Sequence, residues 1–190
     1  MPAPRAIRHH EQRDEPWANG TGHTTVVLRE PDSADWTVRI SVANVERDGP
    51  FSELPDTRRA LVPLDATMTL RFPDGSERRA ARLGVLHFEG SPAPFGVLSE
   101  GPTRDFNLML RGTSLGEVFA RTLVDSMLLS TGPDIRWLVY VVAGRATLRA
   151  GTAPGLTLDP RDAVLVPADR AANRTVIAGA GEIVLVKLYA

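Results

Sequence analysis

Two stretches of this 190-residue chain set chemistry-bearing side chains at alternate positions. In WTVRISVANV, Trp36, Val38, Ile40 and Val42 fall on one face of an extended strand and Thr37, Arg39, Ser41 and Ala43 on the other. In DFNLML, Phe106, Leu108 and Leu110 share a face, opposite Asp105, Asn107 and Met109. If the polar faces look into a barrel, a guanidinium, a hydroxyl, a carboxylate and an amide converge where unpaired polar groups are expensive, and they need a partner or a ligand. The same alternation also describes the solvated side of antiparallel strands, or an Arg39–Asp105 pair that neutralises itself as structure. Arg59, between the loop DGPFSELPDT and the apolar run ALVPL, is a further candidate; a surface arginine beside Arg58 is the alternative.

Other chemistries find less support. A barrel metal site is usually built on two His one residue apart on a strand, so that both point inward. Here His9 and His10 are adjacent and would diverge, and His23 and His87 stand alone. No metal or other cofactor is expected. Cysteine is absent, and no serine sits in a nucleophile elbow. The glycines of NGTGHT do not lead from a strand into a helix, as a dinucleotide site requires.

The 22 basic and 23 acidic residues nearly cancel, which argues against a nucleic-acid partner. All basic residues but Lys187 are arginine, so arginine abundance alone carries no weight. No apolar run approaches the roughly 18 residues of a membrane span, and the first residues have no apolar leader core. A cytoplasmic protein with no membrane partner is the expectation.

The elements that must position the candidates are short strands. Fifteen Pro and sixteen Gly break the chain into apolar runs separated by turns, the pattern of an all-β barrel or sandwich with few or no helices. The FPDGSE stretch predicts a hairpin turn, with Asp74-Gly75 at positive φ. A small-residue break from Gly112 to Gly116 suggests two halves, 1–112 and 113–190. Gly116–Asp125 is the only room for a short helix, although its β-branched residues suit a strand equally. In the second half, YVVAGRATLRAG and LTLDPRDAVLVP predict strand, turn at Gly144, strand, turn at Pro160-Arg161-Asp162, and a short buried strand.

That last unit resembles the C-terminal part of a cupin. The segments PWANGTGHT, WTVRISVANV, DGPFSELPDTRR, FEG and GPTRDFNLM, in this order across residues 16 to 109, resemble the HutD/Ves family of double cupins. Thr21 departs from the pattern, where a third glycine is common. The resemblance implies two cupin barrels in one chain without the usual metal ligands. It also implies an accessory or regulatory role in histidine utilisation rather than an established enzyme. A small carboxylate, urocanate or N-formylglutamate, would lie in the N-terminal barrel against Arg59 and Asn107, with Arg39, Ser41 and Asp105 beside them. Trp17, Asn19 and Thr24 would form the rim or first strand, and Trp36 and Phe106 the core. A guanidinium offers a carboxylate a planar fork, and an amide or hydroxyl can fix the ligand's other end. Two alternatives stand beside this reading: a metal-independent isomerase or hydrolase using Asp105 as base, and a structural or protein-interaction bicupin. A monomer or a homodimer is expected: a double cupin carries two barrels in one chain, which supplies internally the interface that single cupins obtain by dimerising, and an exposed sheet edge could still pair.

Overall fold

The computed structural model describes residues 3–17, 22–152, 154–169 and 174–189. The chain runs β1 (Arg5–Ile7), a 3-10 turn at His9–Glu11, β2 (Arg13–Pro16), β3 (His23–Glu30), β4 (Val38–Val45), β5 (Gly49–Pro50), β6 (Thr57–Pro63), β7 (Met68–Arg71) and β8 (Glu77–Ala80). It continues through β9 (Leu86–Glu89), β10 (Phe95–Val97), β11 (Thr103–Arg111), β12 (Leu115–Leu129), β13 (Ile135–Ala150), β14 (Leu156–Leu158), β15 (Ala163–Val166) and β16 (Thr175–Tyr189). Among the described residues no helix is long and apolar enough to cross a membrane.

Two compact units result, Arg13–Ser114 and Met1–Gln12 with Leu115–Ala190. The second differs from the division at 112/113 because β1 pairs antiparallel with β15, Arg5 opposite Leu165 and Ile7 opposite Ala163. Arg8 Nη1 and the His9 backbone N–H then bind the Asp162 carboxylate at 2.8 and 2.9 Å, fixing the N-terminal segment to that unit.

The Arg13–Ser114 unit pairs a six-stranded antiparallel sheet, in the order β2-β3-β4-β11-β6-β9, with a four-stranded one, β5-β10-β7-β8. Val45, Leu61, Met68, Leu70, Leu86 and Phe88 pack together as its apolar centre. The FPDGSE hairpin joins β7 to β8 as expected from its turn residues, but only Gly75 takes a positive φ, of 84°. Trp36 and Phe106 are buried, and Arg111 lies 3.7 Å from the centre of the Trp36 ring.

The other unit is a sheet in the order β1-β15-β13-β16-β12, with β14 on β13. Residues 116–125 form strand, not helix: all of β12 pairs with β16, and tertiary pairing settles what local propensity left open. Gly144 does not end a strand either. It sits inside β13 at φ 78°, just past the register shift between Val141 and Ala143, and a Cβ there would lie 2.1 Å from the Ala180 carbonyl oxygen. The bulge with glycine lets one long strand do what two strands and a turn were expected to do. The turn at residues 160–162 is present, with Arg161 at φ 74° and the Asp162 N–H bonded to the Asp159 carbonyl.

Candidate functional site

Strands β4, β11 and β6 are neighbours, so their pairing builds the site row by row. Arg39, Met109 and Arg59 stand opposite one another, then Ser41, Asn107 and Leu61, then Ala43, Asp105 and Pro63. Thr24 of β3 joins the third row through Ala43. Residues directly opposite share a face, so the alternation of Trp36–Val45 and Asp105–Leu110 turns both polar sets to the same side. That side opens on a cavity of about 540 Å³. Thr24, Arg39, Ser41, Arg59, Asp105 and Asn107 line it, together with Glu15, Trp17, Phe51 and Met109. Asn19 lies outside the described residues.

The centre of the wall is a relay across β6 and β11. Arg59 Nη2 donates to Asn107 Oδ1 at 2.8 Å, and Asn107 Nδ2 donates to Asp105 Oδ1 at 2.9 Å. All three residues are buried, at 5 %, 2 % and 1 % exposure. Burial raises Asp105 to about 6, against the opposing pull of the Arg59 charge, the Ala43 backbone N–H and the Asn107 amide. Burial likewise lowers Arg59 to about 10; Asp105 works against that shift and Arg39 adds to it. At neutral pH the guanidinium is charged and the carboxyl is mostly ionised.

Arg59 has N–H groups to spare. Its Nε and Nη1 are buried and have no hydrogen-bond partner among the described residues, and neither has Ser41 Oγ. A guanidinium has five N–H donors and two edges that share Nη2. Whichever Nη2 hydrogen Asn107 accepts, one complete two-donor edge is left. Two rings lie against the guanidinium, Phe51 with its centroid 5.2 Å from the guanidinium carbon and Phe88 at 4.9 Å. The rings meet edge to face at 6.3 Å.

Arg39 does not pair with Asp105. Its Nη2 bonds Glu15 Oε2 at 3.0 Å, and its Nη1 approaches Met109 Sδ at 3.8 Å. Glu15 also takes Arg29 Nη1 at 3.0 Å. Trp17 Nε1 donates to Thr24 Oγ1 at 2.7 Å, which ties the rim to the third row.

Glu15, Phe51 and Phe88 were not singled out by alternation, because each reaches the site from an element that joins the wall only through long-range pairing. The signal for two of them lay in the motifs. In DGPFS, the Asp48 carboxylate accepts the Leu98 N–H at 2.8 Å, and Phe51 N–H bonds the Pro94 carbonyl at 2.9 Å, so the ring is presented to Arg59. In FEG, Phe88 stands opposite Arg59 in the β6–β9 pair. In GPTRDFN, Thr103 and Arg104 anchor the Asp65 loop, and Asp105 and Asn107 face the cavity. Among the described residues no three His, Asp or Glu side chains gather to hold a metal ion. His9, His10, His23 and His87 are all exposed.

The fold and the site together define a double cupin with a buried Arg–Asn–Asp wall in one of its barrels. The chain belongs to the HutD family, whose model matches residues 9–185. Protein Ves of Cronobacter sakazakii is 29 % identical over 130 residues, 67 % of this chain and 70 % of that protein. A conserved protein of unknown function from Pseudomonas aeruginosa PAO1 superposes with a TM-score of 0.90 at 20 % identity, covering 100 % of both chains. HutD from Pseudomonas fluorescens SBW25 superposes with a TM-score of 0.81 at 23 % identity over 98 % of each chain.

Proposed function

We propose that this HutD-type protein binds a small carboxylate of histidine breakdown, urocanate or N-formylglutamate, and through it limits flux as an accessory or regulatory protein. The observation that carries this reading is Arg59: a buried guanidinium against two aromatic rings, in a residue that lines the cavity, with buried N–H donors that no described residue satisfies. An unpaired buried donor is costly, and a carboxylate on the remaining edge offsets that cost through two charge-assisted bonds. Ser41 Oγ, also buried without a partner, would bind the ligand's other polar group. The histidine-utilisation role comes with the family and not with the geometry.

Isothermal titration with each compound is the direct test. Binding to the wild type that is lost in Arg59→Ala supports the reading; equal affinity of the two proteins overturns it.

A second reading has one observation in its favour. Asp105, raised to about 6 by burial, has the ionisation of a general base, and Arg59 could stabilise developing negative charge. Prolonged incubation of urocanate or N-formylglutamate with pure protein, followed by chromatography, separates the two. Complete recovery of the compound rules the enzyme out for these substrates.

A further inference from the structure

The cavity, of about 540 Å³, is larger than the two carboxylates proposed for it. Urocanate and N-formylglutamate have about ten and twelve non-hydrogen atoms, and at close packing each atom takes roughly 20 Å³, so either compound fills less than about half of the space. The roughly 300 Å³ left over is itself the size of a small-molecule site. Trp17, Pro50, Phe51, Leu54 and Met109 line the same cavity. Two of them stand at the carboxylate seat: the Phe51 ring lies against the Arg59 guanidinium, and Met109 is opposite Arg59 in the β11–β6 pair.

This lining is built in advance and does not close down on a small ligand. Gly49 and Pro50 pair with Gly96 and Phe95 of β10. The Phe51 N–H then bonds the Pro94 carbonyl at 2.9 Å, the Glu53 carboxylate accepts the Ala93 N–H at 3.0 Å, and the Leu54 N–H bonds the Gly90 carbonyl at 2.8 Å. Trp17 is held by its indole N–H on Thr24 Oγ1. Space that a ligand leaves unfilled keeps water against these apolar groups, and a larger apolar body releases it. We propose that the site takes N-acyl amino acids whose acyl group is an apolar chain or ring of about four to eight carbons, of which N-formylglutamate is the shortest relative. The carboxylate sits on Arg59, the amide meets Ser41 Oγ, which is buried without a partner, and the acyl body fills the remaining apolar space. The inference rests on the reading of Arg59 as a carboxylate seat and names the class of ligand that completes it.

Calorimetry on the wild type with N-formyl-, N-acetyl-, N-butanoyl-, N-hexanoyl- and N-benzoylglutamate is the test. Each added methylene should tighten binding about twofold to fourfold, so that N-hexanoylglutamate binds at least about thirtyfold more tightly than N-formylglutamate. Trp17→Ala or Leu54→Ala should cut that ratio at least about fivefold, and Arg59→Ala should weaken N-hexanoylglutamate about thirtyfold or more. If N-formylglutamate binds and affinity stays level or falls as the acyl group lengthens, the carboxylate reading stands and this proposal is overturned. If no member of the series binds, both fail. A ratio that neither Trp17→Ala nor Leu54→Ala changes also overturns it, as does equal binding of N-hexanoylglutamate to the wild type and Arg59→Ala, which would be apolar adsorption alone.

Discussion

Arg59 and Asp105 face each other across Asn107 without touching: the amide accepts from the guanidinium at 2.8 Å and donates to the carboxylate at 2.9 Å. The amide orients both charged groups and keeps them from closing into a direct ion pair. A direct pair would use up N–H donors of Arg59 that no described residue satisfies. The spacer therefore leaves a charged, half-satisfied guanidinium available, at the cost of two buried charges that stabilise each other only in part.

Replacement of Arg59 separates charge from shape. Arg59→Ala should reduce affinity for N-formylglutamate by roughly 30-fold or more, about 2 kcal/mol, because it removes a buried charge-assisted contact. Arg59→Lys keeps the charge but has no fork and no delocalised guanidinium to set against Phe51 and Phe88, so it should recover only part of the loss. Calorimetry on the three proteins gives the ranking. Equal binding by Arg59→Lys and the wild type would contradict the fork.

Asp105 makes stability depend on pH in a definite direction. Its folded value of about 6 lies above the unfolded 3.8, so between these values the native state holds more protons than the unfolded chain. Stability is then highest below the unfolded value and falls as pH rises from about 4 through 6. The fall attributable to this group is of the order of 3 kcal/mol. Asp105→Asn imitates the protonated form and should flatten that part of the profile, with its largest stabilisation relative to wild type above pH 7. Denaturant midpoints from pH 4 to 8 test this, and parallel profiles would assign the slope elsewhere. The same step should weaken anion binding, since ionised Asp105 offsets the charge on Arg59.

What the sequence disclosed about this site was local. A period of two along Trp36–Val45 and Asp105–Leu110 sorts side chains by face without knowledge of the partner strands, and the pairing of β4 with β11 keeps that sorting. Arg59 opposite Phe88 depends on which strand lies beside β6, which the period within β6 does not encode. The alternation leaves an Arg39–Asp105 pair open because both residues lie on polar faces, whereas Glu15, brought in by β2, holds Arg39. The three residues of β1 carry no mark of pairing with a strand more than 150 positions away. At Gly144 a positive φ was legible, but a turn and a bulge ask the same of glycine and only the β16 register separates them.

Glu15 is expected to restrain the pocket. It holds Arg39 and Arg29 at 3.0 Å each and is itself a third exposed, so these pairs contribute little to stability. Glu15→Gln removes one negative charge from the cavity wall and frees Arg39 for a second anionic group. Affinity for the dicarboxylate N-formylglutamate should rise about fivefold at low salt, about 1 kcal/mol, and affinity for the monocarboxylate urocanate should rise less. Titrations of both ligands at two salt concentrations decide it. An unchanged preference would mean that Arg39 stays out of the ligand's reach.

Gly90 of the FEG segment is expected to control Arg59 from a distance. Its N–H bonds the Thr57 carbonyl at 2.7 Å and its carbonyl accepts the Leu54 N–H at 2.8 Å, which fixes the loop leading into β6 two residues before Arg59. A Cβ at this position would lie 2.3 Å from the Leu54 carbonyl oxygen and 2.9 Å from Leu54 Cβ, both parts of that loop and not the tip of a flexible side chain. Gly90→Ala must therefore push the loop away from the end of β9, for a destabilisation of about 2 to 3 kcal/mol. Arg59 keeps its identity in this variant but loses its contacts with Phe51 and Phe88. Ligand affinity should therefore fall even at temperatures where the protein stays folded. A melting curve paired with a titration at 10 °C below the variant's transition separates the two effects. Full affinity in a folded but destabilised Gly90→Ala would show that the loop carries stability alone and that Arg59 is positioned by its strand.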